Sequence, residues 1–172
     1  MLQLSGMIIN HPLLSLRTGT QVGVVQVPII NPNNLKIEGF YCSDDSSRKQ
    51  LILVSQDIRD VLPQGVVVND QDVLTEPEEL VRLRDVMKSN FELIGKHVVT
   101  TDKTKLGKVS DYAVETSSMY IQKIYITQSI FKNFSGGNLG IDRTQIVEIT
   151  DKKIVVQDLR QKVHAHAGAV PA

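Results

Sequence analysis

The chain has 172 residues, 41% of them hydrophobic, and its 19 basic and 19 acidic side chains give a formal net charge of zero. The length accommodates one ordinary domain or two small ones, and the neutral balance gives no global electrostatic case for binding DNA or a membrane. Only 5% of the residues are aromatic and Trp is absent, which argues against a stacking platform for single-stranded nucleic acid.

The first half of the chain has the pattern of short β-strands separated by turns. A turn is predicted at residues 17–20, and another at residues 31–34, where Asn tolerates a left-handed conformation and Pro fixes φ. The apolar alternation between these turns predicts strands, and a polar loop follows at residues 43–49. The predicted strands occupy residues 21–27, 35–42, 50–54 and 66–68, with a helical turn at 55–58.

The middle of the chain has the only strong helical pattern. Thr75 and Glu78 form a capping-box motif, with Thr75 as N-cap and Glu78 at N3, and Pro77 falls in the first turn. An apolar stripe follows at helical spacing. We therefore expect a docked connecting helix that buries Leu80, Leu83 and Met87.

The second half returns to the β pattern. Strands are predicted at residues 93–100, 109–114, 120–127, 139–141, 146–149 and 154–156. A longer excursion containing glycines occupies residues 131–138. The residues after Leu159 are rich in Ala and Gly, which is typical of a mobile tail.

The second half repeats the first. When Gly23 is set against Gly107, residues 21–25 align with 105–109 and residues 35–41 align with 119–125. After four extra residues around 135–137, Ile58 aligns with Ile146 and residues 66–70 align with 154–158. Both glycines lie inside β patterns, which indicates a bulge or tight bend at the same place in each unit.

The motif carried by this repeat resembles a known domain. Residues 104–114, Thr-Lys-Leu-Gly-Lys-Val-Ser-Asp-Tyr-Ala-Val, followed by residues 120–126 and the segment 143–158, resemble the PRC-barrel domain. Residues 19–25 and 57–62 resemble a more divergent copy of it. The resemblance implies small β-barrels that act through protein or ribonucleoprotein contacts, as in the reaction-centre H subunit and a ribosome maturation factor, with no shared catalytic motif.

We therefore predict an all-β fold of two small PRC-like β-barrels in tandem, joined by an amphipathic helix. The divergent N-terminal barrel is assigned to residues 1–73 and the connecting helix to residues 74–89. The C-terminal barrel is assigned to residues 90–160 and the mobile tail to residues 161–172.

Catalytic and metal-binding motifs are weak in this sequence. His164 and His166 are spaced to chelate a divalent ion, but no Cys or carboxylate cluster nearby completes a ligand set. His97, followed by two valines, is expected to be part of the scaffold, and His11 has no identifiable partner. The glycine-rich stretch 134–140 lacks the Lys-Ser/Thr of a P-loop. We predict no catalytic residue, no cofactor and no enzymatic activity.

Basic residues are the candidate binding residues. Residues 1–85 hold 7 basic and 11 acidic side chains, and residues 86–172 hold 12 and 8; this reflects either attraction between the halves or a second unit that faces an anion. The candidates form a predicted basic edge: Lys96, Lys103, Lys105 and Lys108. Lys103 and Lys105 share strand parity, whereas Lys108 does not.

The favoured function is a non-enzymatic protein-binding or scaffolding module. The alternative is a ribosome- or RNA-associated factor that acts through the basic C-terminal barrel, and association between copies of the chain is left open. A cytoplasmic location is expected for three reasons. The single cysteine, Cys42, is expected to be a small buried hydrophobe, no apolar run approaches the length of a membrane span, and the N-terminus lacks the basic region of a signal peptide.

Overall fold

The computed structural model describes residues 1–127 and 138–157. These residues form β-strands and one short α-helix, with 3-10 turns between them, so the all-β class is confirmed. The elements of the first half are β1 Leu2–Leu4, β2 Pro12–Ser15, β3 Gln21–Asn31, β4 Lys36–Asp44, β5 Gln50–Val54, β6 Ile58–Leu62 and β7 Gly65–Val68. Those of the second half are α1 Arg84–Ser89, β8 His97–Thr100, β9 Lys105–Glu115, β10 Tyr120–Thr127, β11 Leu139–Asp142, β12 Ile146–Ile149 and β13 Lys153–Val156.

The strands of the two halves pair in the same way. One continuous sheet runs in the order β6-β7-β2-β3-β4-β10-β9-β8-β13-β12, with β5 on β4, β11 on β10 and β1 on β9. The pairs β2·β7 and β8·β13 are parallel, and the other pairs are antiparallel. The register of the strands agrees as well. Gly39 is paired with Val54 in the first half, and the residues aligned with them, Lys123 and Asp142, are paired in the second. The repeat is therefore present in the strand pairing, while the sheet stays open among the described residues.

The two halves meet through a reciprocal contact at the starts of β4 and β10. Ile37 N–H donates to the Met119 carbonyl at 2.8 Å, and Ile121 N–H donates to the Leu35 carbonyl at 2.9 Å. Leu35 and Met119 are aligned in the repeat, and both have a positive φ, 56° and 57°. Each half thus offers the other the same surface, as in the isologous interface of a two-fold dimer.

Gly23 and Gly107 occupy equivalent positions beside a β-bulge. Gly23 lies opposite Leu13, and Gly107 lies opposite Val98, and the register shifts immediately afterwards in both pairs. A Cβ on either glycine would overlap a backbone carbonyl oxygen of the neighbouring strand. The bulge predicted from the two glycines is therefore present, since only a residue without a side chain allows this approach.

The predicted connecting helix over residues 74–89 is mostly not formed. Thr75 N–H instead donates to the Ile52 carbonyl at 2.9 Å, and Ile52 N–H donates back at 2.8 Å, so Thr75 is held in a β-bridge and caps nothing. Two 3-10 turns, Pro77–Glu79 and Val81–Leu83, precede the six-residue α1. The predicted apolar stripe of Leu80, Leu83 and Met87 is half-buried rather than buried.

A single hydrophobic core extends through both halves. Its largest fully buried side chains include Ile37, Phe40, Leu53, Ile121 and Ile124. Cys42 is also fully buried, as expected, and burial raises the pKa of its thiol to about 12. The predicted excursion at 131–138, except its last residue, lies outside the described residues, as do the predicted tail at 161–172 and its two histidines.

No helix among the described residues combines the length and the apolar character that crossing a membrane requires.

Candidate functional site

Two of the four predicted lysines, Lys96 and Lys103, lie outside the strands. Lys96 precedes β8 and is half-buried; its Nζ donates to the Asp151 carbonyl at 2.6 Å and lies 4.6 Å from the Phe91 ring centroid. It is therefore used within the fold. Lys103 is exposed in the turn between β8 and β9, where it has a φ of 69°.

The other two lysines lie on one face because of the bulge. Lys108 is opposite His97, and Lys105 is opposite Val99, with the register shift between these two pairs. Residues directly opposite each other in a sheet point to the same side, and His97 and Val99 both point away from the buried face that holds Val98. In a regular strand, residues three apart such as Lys105 and Lys108 would point to opposite sides of the sheet. The one extra residue of the bulge turns both side chains to the same side.

The third strand of this face adds a lysine that sequence reasoning missed. In the parallel pair β8·β13, Lys153 lies opposite His97. Lys105, Lys108, Lys153 and His97 form what we call the basic face, and all four side chains are exposed. None of the three lysines forms an ion pair within the described part of the chain. His97 therefore lies on the surface of the scaffold rather than inside it.

The basic face is confined to the second half. The positions equivalent to Lys105 and Lys108 in the first half hold Gln21 and Val24. An exposed acidic residue, Glu148, lies opposite Val155 at the outer edge of the same side. Three of the twelve basic residues of the second half thus lie together on β9 and at the start of β13.

A cleft of about 750 Å³ lies between the two halves. Its walls come from the segments that precede β2 and β8 and from the middle of β3 and β9. Equivalent backbone bonds hold the two entering segments: Asn10 N–H donates to the Val25 carbonyl at 2.7 Å, and Gly95 N–H donates to the Val109 carbonyl at 2.8 Å. The lining is mainly apolar and includes Ile9, Val27, Ile30, Phe91 and Ile94.

Tyr112 is the buried polar residue of this cleft. The residue is 2% exposed, and no hydrogen bond joins its hydroxyl to another group among the described residues. Since none of the enclosed side-chain N and O atoms of these residues lacks a partner, the hydroxyl oxygen retains some contact with solvent. Burial raises the pKa of the phenol, and the neighbouring Asp111 carboxylate raises it further. Asp111 itself accepts a hydrogen bond from Ser5 Oγ at 2.6 Å. His11, for which the sequence indicated no partner, lies in the same lining.

The remaining buried carboxylates have structural roles. Asp44 accepts hydrogen bonds from Ser46 Oγ at 3.0 Å, from Ser47 N–H at 2.9 Å and from Gln71 Nε2 at 2.7 Å. Burial alone would raise the pKa of Asp44, but these bonds outweigh it and lower the pKa to about 2. Asp70 accepts from Ser15 Oγ at 3.0 Å and pairs with Arg17.

Within residues 1–127 and 138–157, no group of three or more His, Cys, Asp or Glu side chains is placed to hold a metal ion.

Neither a model of a known protein family nor a curated protein matches this chain.

Proposed function

We propose that this protein is a non-enzymatic protein-binding module made of two PRC-barrel-like units, and that its basic face docks an acidic segment of a partner protein. The observation that carries the proposal is the set of three exposed lysines on neighbouring strands, Lys105, Lys108 and Lys153, without ion-pair partners in the described chain. Such a set attracts an anionic partner and orients it during the encounter.

The repeated strand pairing supports the proposed tandem of PRC-barrel-like units. Six strands of each half, β2–β7 and β8–β13, have corresponding neighbours and the same bulge beside Gly23 or Gly107, while β1 pairs with β9 and lies outside the repeat. We propose that the protein has no enzymatic activity. One reason is that Cys42, the one thiol, is fully buried and has a raised pKa, so it cannot act as an exposed nucleophile.

An acidic protein segment suits the basic face better than RNA does. Recognition of single-stranded RNA relies on several aromatic side chains that stack on the bases, whereas the basic face has three lysines and only one such ring, that of His97. The lysines offer their charge to a carboxylate as readily as to a phosphate. RNA or ribosome contact is the second candidate, and the same unpaired lysines favour it.

The test is a pulldown from a cell extract with and without nuclease. We expect one protein to be recovered in both conditions, with less recovery as the salt concentration rises. The variant Lys105→Glu with Lys108→Glu should reduce recovery at low salt by about tenfold, because opposite charges become like charges across the contact. A matched control is Arg82→Glu with Lys88→Glu, two exposed basic residues of the connecting segment, which should bind as the wild type does.

The outcomes separate the two candidates. Co-purifying ribosomal RNA that is lost, together with the bound proteins, on nuclease treatment would support the RNA-associated factor and contradict the protein-binding module. Equal recovery by both double variants at low salt would contradict any role for the basic face. In that case the charge asymmetry serves only to balance the two halves.

A further inference from the structure

The cleft between the two halves has the dimensions of a ligand site. Its volume of about 750 Å³ falls within the range of roughly 300–1,000 Å³ that is usual for pockets that bind small molecules. Ile9, Val27 and Ile30 line it from the first half, and Phe91 and Ile94 line it from the second. An apolar ligand placed there would therefore contact both units at once.

The Tyr112 hydroxyl provides a specific polar contact in this apolar lining. Tyr112 is 2% exposed, so a group that reaches its hydroxyl has to enter through the cleft that Tyr112 lines. No hydrogen bond joins this hydroxyl to another described residue, and no enclosed side-chain N or O atom among the described residues lacks a partner. The hydroxyl oxygen is therefore still open to water, and a ligand acceptor in the cleft could take the place of that water.

The charges around the hydroxyl select against an anion. Asp111 adjoins Tyr112 in β9, and the exposed Glu92 lies at the rim of the cleft. The Asp111 carboxylate is close enough to raise the pKa of the Tyr112 hydroxyl, so it also repels a ligand carboxylate or phosphate placed there. A neutral carbonyl oxygen accepts the same hydrogen bond without that repulsion.

We infer that the cleft binds a small, uncharged and largely apolar molecule with a carbonyl group, which accepts a hydrogen bond from the Tyr112 hydroxyl. This site is separate from the basic face, so either proposal can fail without the other.

The probe is Nile red, a neutral apolar dye with a carbonyl group, compared with the anionic dye 1-anilinonaphthalene-8-sulfonate. We expect saturable 1:1 binding of Nile red to the full-length protein with a blue shift of its emission, and binding of the anionic dye at least about tenfold weaker. Tyr112→Phe keeps the ring and removes only the hydroxyl. It should weaken Nile red binding about 3- to 10-fold, the usual range for one hydrogen bond, and should leave the melting temperature unchanged.

Two matched variants test the location. Ile94→Trp enlarges a rim side chain that is 49% exposed and should abolish Nile red binding by filling the cleft. Leu16→Trp makes the same type of change at a residue that is 63% exposed and outside the cleft lining, and it should bind as the wild type does. The Lys105→Glu, Lys108→Glu variant should also bind Nile red normally.

Several results would overturn the inference. Unsaturable binding, equal affinity for the anionic dye, or wild-type affinity in Tyr112→Phe would each show that the hydroxyl selects no neutral ligand. If the protein partner recovered in the pulldown displaces Nile red from the wild type, the cleft holds a protein segment instead.

Discussion

Replacing Gly107 with alanine tests whether the bulge of the second unit depends on a missing side chain. The new Cβ would overlap the Thr127 carbonyl oxygen and lie 3.0 Å from Ile126 Cγ2. Thr127 belongs to the backbone of β10 and Ile126 is fully buried, so relief requires the two strands to separate. The φ of Gly107, 141°, is in addition a conformation that alanine rarely adopts.

The expected cost has two parts. Overpacking in a well-packed region costs about 1–3 kcal/mol, and a strained backbone conformation costs about 1–3 kcal/mol. A combined loss of about 3 kcal/mol in the free energy of unfolding lowers the melting temperature of a chain of this size by roughly 6–12 °C. Thermal unfolding followed by circular dichroism measures this directly.

Two other glycines serve as matched controls. A Cβ on Gly6 would have no atom within 4 Å, so Gly6→Ala should unfold within about 2 °C of the wild type. A Cβ on Gly23 would overlap the Ser43 carbonyl oxygen, but its φ lies outside the left-handed range, so Gly23→Ala should fall between the other two. The reasoning is refuted if Gly107→Ala melts at the same temperature as Gly6→Ala.

The remaining predictions concern a carboxylate, the connecting segment and the thiol. Hydrogen bonds lower the pKa of Asp44 from 3.8 to about 2, so its contribution to stability is complete above pH 4 and is lost as the pH falls towards 2. The melting temperature should therefore fall more steeply over this range in the wild type than in Asp44→Asn, and parallel curves would contradict the role of these bonds. Leu83→Asp should lower the melting temperature by only about 2–4 °C, because Leu83 is half-buried; a loss above 10 °C would show that the connecting segment is part of the core. Cys42 should not react with a thiol reagent at pH 8 until the protein is unfolded, and rapid labelling of the native protein would disprove its burial.

The sequence by itself predicted the β class, the repeat and the special position of its glycines. These features are local: alternation of apolar residues defines the faces of a strand, and glycine inside a strand pattern marks a bulge. Aligning Gly23 with Gly107 matched the two halves of the sequence, and the two glycines occupy equivalent positions in the strand pairing. Local signals were misleading at Thr75, which has the sequence of a helix-capping motif. Its backbone N–H and carbonyl instead form hydrogen bonds with Ile52, which is distant in sequence, so no helix begins there.

Only the tertiary structure decided which residues meet to form the two candidate sites. Lys153 joins Lys108 through a parallel pairing between β8 and β13, which are separated by more than 50 residues, and no local pattern encodes that neighbour. The bulge places Lys105 beside them, although its spacing from Lys108 in the sequence predicts opposite sides of the sheet. Tyr112 lines a cleft because the two halves dock through Leu35 and Met119. Contacts between distant segments depend on the packing of the whole chain, whereas the strands and turns that supply the residues depend on their immediate neighbours.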